Sequence, residues 1–322
     1  MKGIAVAGSI LIDNINKISA FPKEGELTQI FARTKAIGGL VPNVGVDLKK
    51  LCPQLDVYAL GKIGADDDGL FVENCFIENG IDLSGVVKTK GNLTSFTDVM
   101  SVEGGSRTFF TYPGASAEFG FDDIDFTKLK SKMLHLGYFL LLDKIDNGDG
   151  EKILKKAKEC GIKTSIDLVS ENSDRYKLVI PCLKYTDNII INEVEAGNIS
   201  GLEPSLDNIE KIARLIKDFG VNERVIIHAP EFGVCLSNQG FTIVPSLVLP
   251  KGHIKGSTGA GDAFCAGALL GIYNGLSDKE ILETSSMVAA NALSTVDATS
   301  GITDIEDTIK KYANYKRRDL CL

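Results

Sequence analysis

The chain has 322 residues, 44% hydrophobic and 24% charged, which suffices to bury a sizeable core and is ordinary for a globular protein. Its formal net charge of −8 gives no electrostatic reason to hold DNA or an anionic membrane, so neither is expected as a partner. A phosphorylated ligand would need a local site made of helix N-termini, glycine turns or Mg²⁺.

The N-terminal run GIAVAGS reads as a buried first strand and not as a secretory leader, because Asp13 closes the apolar stretch. No segment reaches the ~18 apolar residues of a spanning helix. NVGVDLKKL reads as a helix, DVYALGKIG as the next strand, and GLFVENCFIENG as a helix stopped by Gly80. Then follow KMLHLG (strand), GDGEKILKKAKECG (helix), KTSIDL and DNIIIN (strands), LDNIEKIARLIKDFG (helix) and ERVIIHA (strand). Strands separated by helices of this length predict an α/β chain, 1–322, with a mainly parallel sheet covered on both faces. Residues 11–37 and 84–112 break the rhythm. They alternate apolar and polar residues, with EGGS as a hairpin turn. Edge strands of the main sheet are one solution; a small separate sheet lying as a lid over one end of the core is preferred. Ile30, Phe31, Phe96, Val99, Phe109 and Phe110 would give that lid an apolar face, covered by substrate or by a second copy in a homodimer. The seven cysteines are odd in number and include no C-x-x-C pair, which argues for a reducing, cytoplasmic compartment.

The chemistry concentrates in KGSTGAGDAFCAGALLGIYNG. Gly259, Ala260 and Gly261 precede Asp262 and a helix rich in small residues. A helix start offers free amides and a partial positive charge, and glycines let a ligand approach that backbone. An Asp at a helix start can equally be a plain cap. The turn is neither a Walker A loop, lacking the Lys-Ser/Thr, nor a dinucleotide fingerprint. An anion hole followed by a carboxylate suits phosphoryl transfer: Asp262 takes a proton from a hydroxyl while the amides of 260–262 stabilise the moving charge.

STGAGDAFCAG closely resembles the C-terminal signature of the ribokinase-like, PfkB-type carbohydrate kinases. IGGLVPNVGVDLKKL, with Gly38, Gly39 and Asn43, resembles the N-terminal signature. GKIGADDDG and INEVEAGNISG, with Asn192 and Glu195 as an N-x-x-E pair, follow in family order. The resemblance implies a three-layer ribokinase-like α/β core with a β lid, and ATP-dependent phosphorylation of a hydroxymethyl group on a sugar. It implies Asp262 as base, Gly259, Ala260 and Gly261 as anion hole, and Asp13, Gly38, Gly39 and Asn43 as substrate contacts. Asn192 and Glu195 would order Mg²⁺ through water, with no direct protein ligand to the metal. His228, Gly233 and Asn291 would enclose the nucleotide. His135 and His253 have no expected role in catalysis, and Asp66, Asp67 and Asp68 read as a helix N-terminal cluster. Three departures stand out. Gly256 replaces an Asp that helps bind a monovalent cation, which makes such a cation doubtful. Gly137 replaces the substrate-binding Glu of ribokinases proper, and Ala229-Pro230 replaces Leu-Gly beside the nucleotide. A nucleoside kinase of the same fold, a non-catalytic sugar- or nucleotide-binding regulator, and a hydrolase are the alternatives. The intact Asp262 and N-x-x-E pair weigh against a mere binder, and nothing in the sequence positions a water nucleophile.

Overall fold

The computed structural model describes residues 1–102 and 105–320. Its strands are β1 (Ile4–Ala7), β2 (Leu11–Ile18), β3 (Ile30–Gly38), β4 (Val57–Gly64), β5 (Asp82–Thr89), β6 (Ser95–Val102), β7 (Arg107–Tyr112), β8 (Met133–Phe139), β9 (Lys163–Leu168), β10 (Asn188–Asn192), β11 (Arg224–His228), β12 (Phe232–Ser237) and β13 (Gly240–Pro245). Nine of them form one sheet in the order β13-β12-β11-β10-β9-β8-β1-β4-β5. Every neighbouring pair from β5 to β11 is parallel; β12 and β13 return antiparallel.

The central strands are apolar without alternation because both sheet faces are covered. In β1, Ile4 and Val6 enter one core, and Ala5 and Ala7 enter the other. Two helices, Leu40–Leu51 and Ala260–Tyr273, pack against each other in the first core. Their N-terminal ends come together, since Asn43 touches Asp262 across 219 residues of chain.

The remaining strands make a separate four-stranded sheet, β3-β2-β6-β7, with β2 and β6 parallel. The preferred sequence reading of a distinct small sheet therefore holds, with one correction to its boundaries. The second segment enters the lid at Ser95, not at 84, because β5 pairs with β4 in the large sheet. As an edge strand β5 is covered on one side only, and its alternation looks like that of a lid strand. Of the expected hairpin turn at 103–106, residues 103 and 104 lie outside the described residues. Val99 is buried within the chain, so it is not part of any exposed lid face, whereas Ile30, Phe31, Phe109 and Phe110 are exposed. Among the described residues no helix is long and apolar enough to cross a membrane, and six cysteines are free thiols.

Candidate active site

Gly259 sits at φ +77°, and a Cβ there would lie 2.5 Å from the Ala298 Cα, so both the left-handed turn and the close crossing demand glycine. The helix Ala260–Tyr273 starts immediately after it. The Ala260 amide donates to the Ser257 carbonyl over a long 3.3 Å, while the Gly261 and Asp262 amides meet no protein acceptor among the described residues. Two donors at the positive end of a 14-residue helix thus remain free for an anion.

Asp262 does not cap this helix; Gly259 holds that position and no side chain caps it. The carboxylate turns instead into the protein. Asn43 Nδ2 donates to Oδ2 at 2.9 Å, and the Tyr138 hydroxyl lies 3.1 Å from both oxygens. Burial, reinforced by the nearby Asp167 charge, pushes its pKa up to about 7, while the Asn43 and Tyr138 bonds pull the other way. A carboxylate poised near neutrality can accept a proton and release it again. Asn43 lies within the first turns of Leu40–Leu51, whose cap is Gly39, so it is not itself a cap. Its second amide atom, Oδ1, is buried without a partner.

Gly39 adopts φ +88°, and Ser9 does the capping from outside the helix. Its Oγ accepts from the Leu40 amide and its carbonyl from the Val41 amide, both at 3.1 Å. Gly38 lies against Asp13: a Cβ there would be 2.3 Å from Asp13 Oδ2. Asp13 occupies β2 at the junction of lid and core, and burial raises its pKa to about 6. Asp13 thus touches Gly38, Gly39 opens the helix that carries Asn43, and Asn43 reaches Asp262.

Asn192 caps the helix Glu193–Ser200 in a reciprocal box. Its Oδ1 accepts from the Glu195 amide at 2.8 Å, and Glu195 Oε2 accepts from the Asn192 amide at 3.0 Å. Ser170 joins them, donating to Glu195 Oε1 and accepting from Asn192 Nδ2, both at 2.8 Å. Burial lifts Glu195 to about 7. A cavity of about 180 Å³ is walled by Tyr138, Asp167, Asn192, Glu195, Gly261 and Asp262. Carboxylates held so reluctantly charged at its wall suit a bound cation, so the N-x-x-E pair fits a hydrated Mg²⁺.

On the other side of Gly261 lies a larger cleft of about 540 Å³, mostly apolar, with Ala229, Pro230, Phe232, Gly233 and Leu247 in its walls. His228 borders both cavities. It packs on the Phe264 ring at 4.8 Å between centroids, and burial lowers its pKa to about 4. It is neutral near pH 7 and offers a flat face, not a charge. Asn291 corrects the expectation of a nucleotide contact. It is buried away from the cleft lining, donating to Thr303 and Thr308 and accepting from Lys311 at 2.6 Å. It ties the helices Asp278–Ala292 and Ile305–Tyr312 together, while its neighbours Ala290 and Leu293 face the cleft.

The residues that sequence reasoning missed come from strand ends. Tyr138 and Asp167 sit where β8 and β9 end, and Asp167 Oδ1 accepts from the Tyr138 amide at 2.6 Å. Behind them His135 bridges Ser165 at 2.8 Å and Asp167 at 3.3 Å, a buried polar support and not a reacting group. Gly137 is closely packed: a Cβ would approach Leu40 Cδ2 to 2.3 Å and Asp167 Oδ1 to 2.4 Å, so any larger residue there requires these side chains to shift. The position of these residues at the C-terminal ends of parallel strands is the signal that could have found them.

Solved structures share this architecture. An Arabidopsis thaliana ribokinase complexed with ribose and ATP superposes with a TM-score of 0.83 at 20% identity, covering 96% of this chain and 98% of that one. A Thermotoga maritima ribokinase gives 0.80 at 22% identity, covering 98% and 100%. In sequence, a 5-dehydro-2-deoxygluconokinase of Clostridium perfringens is 26% identical over 297 residues, 88% of this chain and 86% of the relative. A fructokinase-6 of Arabidopsis thaliana, described as probable and chloroplastic, is 28% identical over 296 residues, 88% of this chain and 74% of the relative. Residues 1–305 match the pfkB family carbohydrate kinase domain, and with the anion turn, the buried Asp262 and the separate lid in place, the chain belongs to that family.

Proposed function

We propose that this carbohydrate kinase transfers the terminal phosphoryl group of ATP to a hydroxymethyl group of an unphosphorylated sugar or sugar acid. The observation that carries the reading is the placement of Asp262. It supplies one of two unpartnered helix amides and lines the polar cavity, while Gly261, which supplies the other, borders both that cavity and the apolar cleft. The acceptor would lie under the lid against Asp13, Gly38, Gly39 and Asn43, with its hydroxyl on Asp262. Asp262 takes the hydroxyl proton as the oxygen attacks phosphorus. The Gly261 and Asp262 amides bind the charge on the transferred group. The apolar cleft beside His228 and Gly233 takes the adenine. Mg²⁺, held through water at Asn192 and Glu195, would neutralise triphosphate charge. Lid closure excludes water, which otherwise competes as acceptor.

The exposed Ile30 and Phe31 on one lid edge, and Phe109 and Phe110 on the other, favour a homodimer formed through the lids. Phe109 and Phe110 are consecutive in a strand and project to opposite faces, one towards the acceptor side and one towards a partner. The free thiols fit a cytoplasmic enzyme. The test is ADP release with ATP and Mg²⁺ across ribose, fructose, 2-keto-3-deoxygluconate, 5-dehydro-2-deoxygluconate, sugar phosphates and nucleosides. Acceptor-dependent release that vanishes in Asp262→Asn is expected. Release independent of every acceptor would mean a hydrolase, and ligand binding with no release would mean a regulator.

A further inference from the structure

We propose that Tyr138 is a placeholder for the acceptor hydroxyl: its phenol holds the Asp262 base in the free protein, and acceptor binding displaces it. The inference rests on the kinase reading above, but its content is a residue that the signature motifs do not contain.

Three independent features support it. The phenol oxygen is equidistant, 3.1 Å, from both Asp262 oxygens, which is the hydrogen-bonding distance an acceptor hydroxyl needs before giving up its proton. An acceptor and this phenol therefore compete for the same face of one carboxylate, whose Oδ2 is already engaged by Asn43. Second, Tyr138 has φ +57° and Leu140 φ +78°, both left-handed in residues with side chains. Such strain persists where surroundings enforce it and is released when they change. Third, the β8–β9 ladder runs in register from Met133 to Leu136 and resumes, shifted, at Phe139. Residues 137 and 138 lie in that break, so Tyr138 can move without breaking ladder pairing; its N–H donates to the Asp167 side chain and its carbonyl accepts from the Leu141 amide at 3.2 Å.

Consequences for specificity follow from the neighbouring position. Gly137 carries no side chain to bind acceptor hydroxyls, and the next residue instead places a phenol on the base in the wall of the same cavity. An acceptor must offer enough contacts at Asp13 and the lid to expel that ring, which disfavours water and small alcohols.

The titratable groups that face Asp262 are Asp167 from β9, Asp47 from Leu40–Leu51, Cys265 from its own helix and Tyr138 itself, with Glu195 and His228 on the wall of the same cavity; Asp13 bears on Tyr138. Tyr138→Phe changes none of the carboxyls and removes one hydrogen bond to the ionised base. The acid limb of kcat/KM reports the free enzyme, and that of kcat the complex. In Tyr138→Phe the kcat/KM limb should move up by about one pH unit, tenfold in proton affinity, while the kcat limb stays in place. Movement of both limbs would show that the phenol stays on the base in the complex and would overturn displacement. Movement of neither would reduce Tyr138 to packing. A second readout does not depend on rates: saturating the wild type with acceptor should give a near-ultraviolet tyrosine difference spectrum that Tyr138→Phe lacks. An identical spectrum in both proteins would refute the proposal. A wild type that phosphorylates no acceptor in the panel would instead overturn the kinase reading, and this inference with it.

Discussion

Asp262 should destabilise the fold it serves, and Asp262→Asn measures by how much. Its folded pKa of about 7 lies some three units above an ordinary carboxyl, chiefly because of burial, with the Asp167 charge adding to it. Below about pH 4 the group is protonated in folded and unfolded chains alike, and burial costs nothing electrostatic. As pH rises from about 4 to 7 the unfolded chain ionises first, and stability is lost throughout that window. Three units at about 1.4 kcal/mol each set a ceiling of about 4 kcal/mol, reached above pH 7. Asparagine removes that term, but its neutral amide oxygen at the Oδ2 position accepts from Asn43 and Tyr138 more weakly than the ionised carboxylate does, which returns about 1 kcal/mol. The variant should therefore be about 2–3 kcal/mol more stable than wild type at pH 8 and no more stable at pH 4. Urea unfolding of both proteins across that range is the assay, and the diagnostic is the widening gap. Turnover should fall by roughly 10²–10⁴-fold at the same time. Stability profiles that run parallel from pH 4 to 8 would refute the electrostatic account of the site, even if activity were lost.

Asp47 is a second buried carboxyl, with neither oxygen partnered, and burial first, then the Asp262 charge, holds its pKa well above the usual range. Asp47→Asn should likewise gain stability as pH rises from about 4, at up to about 1.4 kcal/mol per unit until the folded group titrates, with no loss of turnover; a pH-independent difference would count against it. The lid apolar residues should drive dimerisation: Phe110 pairs with Asp98 and so lies on the lid face opposite Asp13, and Phe31→Lys with Phe110→Lys should turn a dimer into monomers in sedimentation velocity at micromolar concentration; a monomeric wild type, with or without substrate, would sink the idea. Activity with Mg²⁺ should depend little on K⁺, because Gly256 has no carboxylate and a Cβ there would already crowd the Thr295 carbonyl at 3.1 Å. Rates in K⁺, Na⁺ or a bulky organic cation at equal ionic strength test this; a rise of about tenfold with K⁺, ~1.4 kcal/mol in barrier height, would show a competent cation site.

What the sequence determined by itself is what short-range sterics dictate. A glycine beside a small-residue helix forces the Gly259 turn and leaves amides free. Asn192 and Glu195, three apart at a strand end, close their own capping box. The parallel sheet was legible because strands buried on both faces lose their alternation, as β1 and β10 do. Edge strands carry no such mark. β5 alternates like a lid strand, and only its pairing with β4 assigns it to the large sheet. The surroundings of Asp262 were beyond local reading for a different reason. Asn43 and Tyr138 reach it from 219 and 124 residues away, and their meeting depends on strand order and on two helices packing end by end. For the same reason Asn291 carried no sign that its amide would be consumed by a neighbouring helix. Motifs specify backbone shape locally, but the charge, solvation and partners of a side chain belong to whatever the tertiary fold brings beside it.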